Sequence, residues 1–174
     1  MIFLGNDYIY SKVEKLVRRF GTRNPLEILE RMNVIVGETS NYKKLKGYCF
    51  MSCRIIYVMI NSFLPAEERR MVAAHELGHI ILHRERLKVA PMKDDVLYDM
   101  RDETEYEANL FAADLLLEDA DIAGASEDED MDYFGFCSSL NVSPELMSFK
   151  LYSLMRRGHV YNMPMDIKSD FMKK

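Results

Sequence analysis

The sequence has few cysteines, no long apolar run and no excess of positive charge, and each shortage excludes a class of protein. Three cysteines are too few for a disulfide framework, and their odd number indicates a reducing compartment. No apolar stretch approaches the roughly 20 residues of a membrane span, and the opening MIFLGNDY lacks the features of a signal peptide. A net charge of −5 gives no reason to expect nucleic-acid binding. We therefore expect a cytoplasmic protein without membrane contact.

One motif carries recognisable chemistry: His75-Glu76-Leu77-Gly78-His79, set in the run MVAAHELGHIILH. Histidines four apart on a helix lie one turn above each other and can bind one metal ion. Zinc binds imidazole nitrogens at about 2.0–2.1 Å, and a catalytic zinc keeps one position for water. Glu76 can take a proton from that water, because a bound metal lowers the pKa of water to about 7. This arrangement is typical of metallopeptidases.

Both the rarity of the motif and its setting favour a metal site. With 4 His in 174 residues, only about 0.008 such motifs are expected by chance. The surrounding helix is apolar nearly all round, which predicts burial, and buried histidines and glutamates are costly unless something satisfies them. His83 lies about 12 Å along the helix axis from His75. It therefore cannot share a metal with His75, and we expect it to be structural or peripheral.

The rest of the chain predicts an α+β fold. Helical spacing is present at about 9–20 and 25–32, and Pro65 begins the helix of the motif. β-rich runs at 34–36, 47–51 and 55–60 indicate a small sheet of about three strands, whose run 55–60 is a candidate to hold a substrate by β-addition. The stretch 84–101 has no clear period and is expected to be a long loop, either beside the cleft or on the surface. We expect core packing for Cys49, Cys53 and Cys137.

A second helix is predicted from about Asp102, and it carries acidic residues of interest. It contains Glu103, Glu105 and Glu107, followed by Asn109. A gluzincin takes its third metal ligand, a glutamate, from a helix downstream of the two histidines. The segment supplies three candidates.

With both segments in view, the chain resembles the ImmA/IrrE family of zinc-dependent metallopeptidases. AAHELGHIILH matches the family's metal helix, and EYEANLFAADLLL matches its second signature. The resemblance implies a zincin-like α+β fold of the gluzincin type, with His75 and His79 as zinc ligands, Glu76 as catalytic base and Glu105 as third ligand. It also implies a substrate, because relatives in mobile genetic elements cleave the helix-turn-helix repressor encoded beside them. Sites with two histidines and a glutamate also accept other divalent metals.

Helix phase gives an independent reason to choose Glu105. On a helix advancing about 100° per residue, Glu103 and Glu107 fall together, opposite Glu105. The apolar positions that follow share the side of Glu105, which predicts that Glu105 faces the core and that its two neighbours can be removed without loss of metal. Asn109 lies one turn further on that side, where it can hold Glu105 or a ligand histidine.

We expect a single metallopeptidase domain over residues 1–164, with a catalytic core at 1–120, a C-terminal helical part at 132–158 and a flexible tail at 165–174. The acidic stretch 118–132 is expected to be a solvated linker. Two alternatives to peptidase activity are a metal-binding module that sequesters a partner repressor without cleavage, and a DNA-binding protein acting through the two C-terminal helices. The second of these helices reads ELMSFKLYSLMRR, which is too apolar for DNA recognition and favours packing. The candidates for stabilising an oxyanion are Tyr98, Tyr106 and His159.

Overall fold

The computed structural model of the chain describes residues 6–40, 45–94, 102–125 and 133–159, which form an α+β fold. Within these ranges, no helix combines the length and the apolar character needed to cross a membrane. The elements in chain order are α1 (Asn6–Phe20), α2 (Pro25–Arg31), β1 (Ile35–Thr39), β2 (Gly47–Ser52), β3 (Ile55–Asn61), α3 (Ala66–Leu82), α4 (Arg84–Leu87), β4 (Met92–Asp94), α5 (Glu103–Leu116), α6 (Asp119–Ala125), α7 (Tyr133–Ser139) and α8 (Pro144–Arg156).

The four strands form one mixed sheet in the order β1-β3-β2-β4. β1 runs parallel to β3, while β2 pairs antiparallel with both β3 and β4. The predicted strands are β1, β2 and β3. β3 has a hydrogen-bonded neighbour on each side, so the expectation that it holds a substrate by β-addition is wrong.

The stretch expected to be a long loop contains α4 and β4. Leu87 at the end of α4 is buried, and β4 obtains its backbone hydrogen bonds from the edge of β2. Elements of three or four residues are too short to show a period, so tertiary contacts rather than local pattern decide their structure. Residues 95–101, which include Tyr98, lie outside the described residues.

The connection between β2 and β3 is as tight as the sequence predicts. Cys53 and Arg54 have φ values of 51° and 67°, the positive values required at both central positions of a type I′ hairpin turn. This position exposes Cys53, so the expectation of core packing is wrong for this cysteine. Cys49 and Cys137 are buried as expected.

Helix α3 runs through the centre of the fold. Ten consecutive residues from Met71 to Ile80 are buried, because the sheet lies on one side of the helix and α5 on another. Gly78 permits close approach to α5, since a Cβ on Gly78 would lie 3.1 Å from Ala108 Cα. The motif therefore lies at a tight helix–helix contact.

Helix α5 is enclosed by α1, α3 and α8. The packing of the C-terminal helix against the rest of the fold was predicted from its apolar sequence and is confirmed for α8, which contacts α5 and α1. The acidic stretch is only partly as expected. Its first half is α6, where Ile122 is buried and Asp119 pairs with Lys150 and Arg157. Residues 126–132 and the predicted tail at 165–174 lie outside the described residues.

Candidate metal centre

Three potential ligand side chains converge between α3 and α5. His75 Nε2 lies 3.0 Å from His79 Nε2 and 3.1 Å from Glu105 Oε2, and His79 Nε2 lies 3.4 Å from Glu105 Oε1. Ligands placed tetrahedrally at zinc–nitrogen distances are about 3.3 Å apart. Among the described residues, these three form a group of ligand atoms within 4.8 Å of one another. The separations fit one small cation.

The protonation pattern of His75 fits metal binding. Its Nδ1 lies 2.9 Å from Asn109 Oδ1, and an amide oxygen only accepts hydrogen bonds. The ring proton is therefore on Nδ1, and the Nε2 lone pair faces His79 and Glu105. The sequence left open whether Asn109 would hold Glu105 or a histidine, and the structure places it against His75.

His79 is held by a longer chain of hydrogen bonds. Its Nδ1 lies 3.2 Å from His83 Nδ1, and His83 Nε2 lies 2.8 Å from Glu107 Oε2. Because the Glu107 carboxylate accepts, His83 donates from Nε2, and its Nδ1 accepts from His79. Burial lowers the pKa of His83, and the hydrogen bond to Glu107 opposes that shift only in part. A neutral His83 leaves the Nε2 lone pair of His79 facing the other two ligand atoms.

The structure corrects the expectation for Glu107. Glu107 was expected on the side opposite the core, yet its side chain is only 8% exposed, against 18% for Glu105. Helix phase failed because α5 is surrounded by other elements and has no single buried side. His83 was expected to be structural or peripheral, and it is not in the group of candidate ligands but contacts His79 from outside that group. The spacing in the sequence could have predicted this contact, because His83 is four residues after His79 and residues at that spacing lie one helical turn apart.

Glu76 is fully buried on α3, beside the start of β2. A Cβ added to Gly47 would lie 2.9 Å from Glu76 Oε1 and 2.4 Å from Val72 Cγ1. Only a glycine therefore lets β2 pass this close to the carboxylate. The sequence identified Gly47 as the start of a strand, and its contact with Glu76 was not predicted.

The described candidates for oxyanion stabilisation have different surroundings. The Tyr106 ring packs between Phe149 and Tyr152 of α8, with centroid distances of 5.9 and 6.1 Å. His159 is exposed beyond the end of α8. A role for either of them at the candidate metal centre stays a prediction.

A separate groove of about 970 Å³ opens at the other end of α3. Its walls include Glu67 and Arg70 near the start of that helix, Leu116 at the end of α5, and Asn141 and Leu146 around the start of α8. The three converging ligand side chains are not part of it. The groove is therefore distinct from the candidate metal centre.

Comparisons with known proteins agree with this site. The chain matches the peptidase M78 family, described as the IrrE N-terminal-like domain, over residues 31–152. It is 37% identical over 111 residues to "Uncharacterized immunity region protein 2" of Bacillus phage phi105, and the aligned part covers 64% of this chain and 69% of that protein. The match spans more than half of the chain and includes α3 and α5, and it confirms the resemblance seen in the sequence. The chain therefore belongs to the peptidase M78 family, with an IrrE N-terminal-like domain.

Proposed function

We propose that the protein is a cytoplasmic zinc endopeptidase of the gluzincin type, with a zincin-like fold, that cleaves one specific regulator. The observation that carries this proposal is the convergence of His75 Nε2, His79 Nε2 and the Glu105 carboxylate, with Glu76 next in sequence to the first ligand. Three lone-pair donors that face one another are stabilised by a cation. Membership of a metallopeptidase-type family supports the same assignment.

In this proposal His75, His79 and Glu105 hold the ion. When bound, zinc activates water at neutral pH and polarises a carbonyl group. Glu76 accepts the proton of the attacking water as the new carbon–oxygen bond forms, and it then passes that proton to the amine nitrogen, which leaves as the carbon–nitrogen bond breaks. Burial of Glu76 keeps bulk water away from this proton. Gly47 leaves space for the Glu76 carboxylate.

The substrate backbone is expected to lie along β4. An extended peptide can add to the edge of a sheet, where backbone groups are available for pairing. β1 is separated from β2 by β3, whereas β4 pairs directly with β2, where Gly47 is opposite Asp94. Since Gly47 is also the residue beside Glu76, β4 is the edge nearer to the proposed base.

The proposed substrate is a helix-turn-helix repressor whose gene lies beside the gene of this protein. Two observations support it: the sequence resemblance to peptidases that cleave such repressors, and a relative from the immunity region of a bacteriophage. The alternative is that a partner repressor is bound without being cut, but a base beside the proposed ion has a use only in hydrolysis. DNA binding through α8 has less support, because most of that helix is buried.

The proposal is tested by incubating the purified protein with the repressor encoded beside it and following cleavage by mass spectrometry. We expect one or a few defined cuts, loss of cleavage after chelation, and recovery when zinc is added back. Casein serves as a control and should remain nearly intact. Stable complex formation without any cut in the zinc-loaded protein would favour the sequestering module. Rapid digestion of casein would indicate a general protease.

A further inference from the structure

The two candidate ligand histidines have different hydrogen-bond partners at Nδ1. His75 donates from Nδ1 to a single amide oxygen, that of Asn109. His79 donates from Nδ1 to His83, which in turn donates to Glu107. We propose that His83 and Glu107 act together as positioning residues, which fix the tautomer and the ring orientation of His79 so that its Nε2 is ready to bind metal. This inference rests on the metal site of the proposed function.

The direction of the hydrogen bonds makes Glu107 necessary. A neutral histidine has one donor and one acceptor nitrogen, and either nitrogen can carry the proton. The Glu107 carboxylate only accepts, so it keeps the His83 proton on Nε2. That leaves His83 Nδ1 as an acceptor, and the hydrogen bond between the two rings forms only when His79 carries its proton on Nδ1. Without Glu107, His83 can protonate Nδ1, which opposes the His79 Nδ1 proton and favours the tautomer that blocks metal binding.

Burial strengthens this control. The side chains of His83 and Glu107 are 7% and 8% exposed, and that of His79 is fully buried. Water therefore has little access to replace a missing hydrogen-bond partner. Residues that hydrogen-bond to a metal ligand without binding the metal themselves typically contribute about 10- to 100-fold to metal affinity.

The test uses Glu107→Leu, His83→Leu and the double variant, with Glu103→Leu as the matched control on the same helix. Replacing both partners of a buried pair by apolar residues of similar size is often nearly neutral for stability, whereas removing one partner costs stability. Thermal unfolding of the metal-free proteins reports whether each variant folds. Zinc affinity is measured by competition with a chromophoric chelator. Long-range ¹H–¹⁵N correlation spectra of the metal-free proteins show which nitrogen of His79 carries the proton.

We expect Glu107→Leu and His83→Leu each to bind zinc about 10- to 100-fold more weakly, and to fold in the metal-free form with some loss of stability, because each leaves a buried polar group short of a hydrogen bond. Because Glu107 acts through His83, the double variant should be no weaker than His83→Leu alone. Glu103→Leu should bind like the original protein. In Glu107→Leu, part of the His79 population should carry its proton on Nε2.

Three results would overturn the inference: zinc affinity within threefold of the original in Glu107→Leu, a further loss in the double variant, or an unchanged His79 tautomer. Glu105→Ala, measured alongside, separates this outcome from failure of the proposed function. If Glu105→Ala loses zinc while Glu107→Leu does not, the metal site is supported and the positioning role of Glu107 is refuted. If Glu105→Ala binds zinc as well as the original protein, the metal site itself is wrong. Should Glu107→Leu not fold, Glu107→Met, which also lacks a carboxylate or amide oxygen to accept from His83, is measured in its place with the same criteria.

Discussion

Lys150 Nζ lies 3.0 Å from Asp114 Oδ1, and both side chains are almost completely buried. Ser153 Oγ donates to Asp114 at 2.8 Å, and Asp119 Oδ1 lies 2.6 Å from the same ammonium group. Arg157 binds Asp119 through two nitrogens. The network joins α5, which carries both Asp114 and Glu105, to α6 and α8, so it fixes the helix that supplies the third candidate ligand.

Lys150→Met should destabilise the protein by about 3–5 kcal/mol, because the buried Asp114 carboxylate loses its nearest cation and keeps only Arg157, at 3.9 Å. Urea unfolding measures the change. Adding Asp114→Asn to this variant should restore much of the loss, since no buried charge then lacks a partner. Lys88→Met is the control, because Lys88 pairs with Glu85 at the surface and such pairs contribute at most about 1 kcal/mol. A loss below 1 kcal/mol in Lys150→Met would show that the ion pair is not integral to the fold.

Asp119 gives the network a predictable pH dependence. Burial alone would raise its pKa, but hydrogen bonds from Arg157 and Lys150 outweigh burial and hold the pKa well below its ordinary value of 3.8. The folded protein therefore releases this proton more readily than the unfolded chain does. The resulting stability is present above about pH 4 and is lost as the pH falls toward the lowered pKa.

The measurement compares the original protein with Asp119→Asn across that range. At pH 6 the variant should be less stable by about 2 kcal/mol, a value between those for exposed and fully buried pairs, because Asp119 is 28% exposed. The difference should shrink as the pH is lowered toward 3. A difference that stays constant from pH 6 to pH 3 would contradict the lowered pKa of Asp119.

The parts of the site that the sequence predicted are those with local signals. His75, Glu76 and His79 form one motif within a single helix turn, and Glu105 follows from a family signature and from helix phase. The contacts of Glu107 could not be predicted in the same way, because phase assumes one buried side and α5 is enclosed on several. The partner of Lys150 is 36 residues away in the chain, and no local pattern contains that information.

The same division applies to the fold. The type I′ turn at Cys53 and the caps of α2, α5 and α8 follow from short-range chemistry, with Asn24, Asp102 and Ser143 each accepting from a nearby backbone N–H. β4 is three residues long and exists as a strand only through β2. α6 was read as linker because of its acidic residues. Its buried Ile122 and the pairing of Asp119 are tertiary effects.

Gly47→Ala should damage both stability and the placement of Glu76. The new Cβ would lie 2.4 Å from Val72 Cγ1 and 2.9 Å from Glu76 Oε1, and overpacking of this kind costs about 1–3 kcal/mol. We expect a lower urea midpoint and a lower cleavage rate.

Gly37→Ala is the matched control for that variant. Gly37 lies in β1 of the same sheet, but a Cβ there meets only the flexible end of Met59, at 2.9 Å. This substitution should cost less than Gly47→Ala. Equal effects of the two variants would show that the approach of β2 to Glu76 has no special importance.

Glu105→Ala should weaken zinc binding sharply, whereas Glu103→Ala should leave it nearly unchanged. Glu105 places its two carboxylate oxygens 3.1 and 3.4 Å from the Nε2 atoms of His75 and His79. Glu103 is in the first turn of α5 and is not among the converging ligand residues. Metal titration of the two variants decides the ligand. Full affinity in Glu105→Ala, or a large loss in Glu103→Ala, would refute the assignment.

The central claim, hydrolysis at this site with Glu76 as the base, is tested most directly by Glu76→Gln. Bound zinc and cleavage of the neighbouring repressor are measured on one preparation of each protein. The three ligand side chains remain in the variant, so we predict one equivalent of zinc and a normal fold. Glutamine cannot accept the proton of the attacking water, so cleavage should fall by at least about 10²-fold. Cleavage by zinc-loaded Glu76→Gln at the original rate would contradict the account.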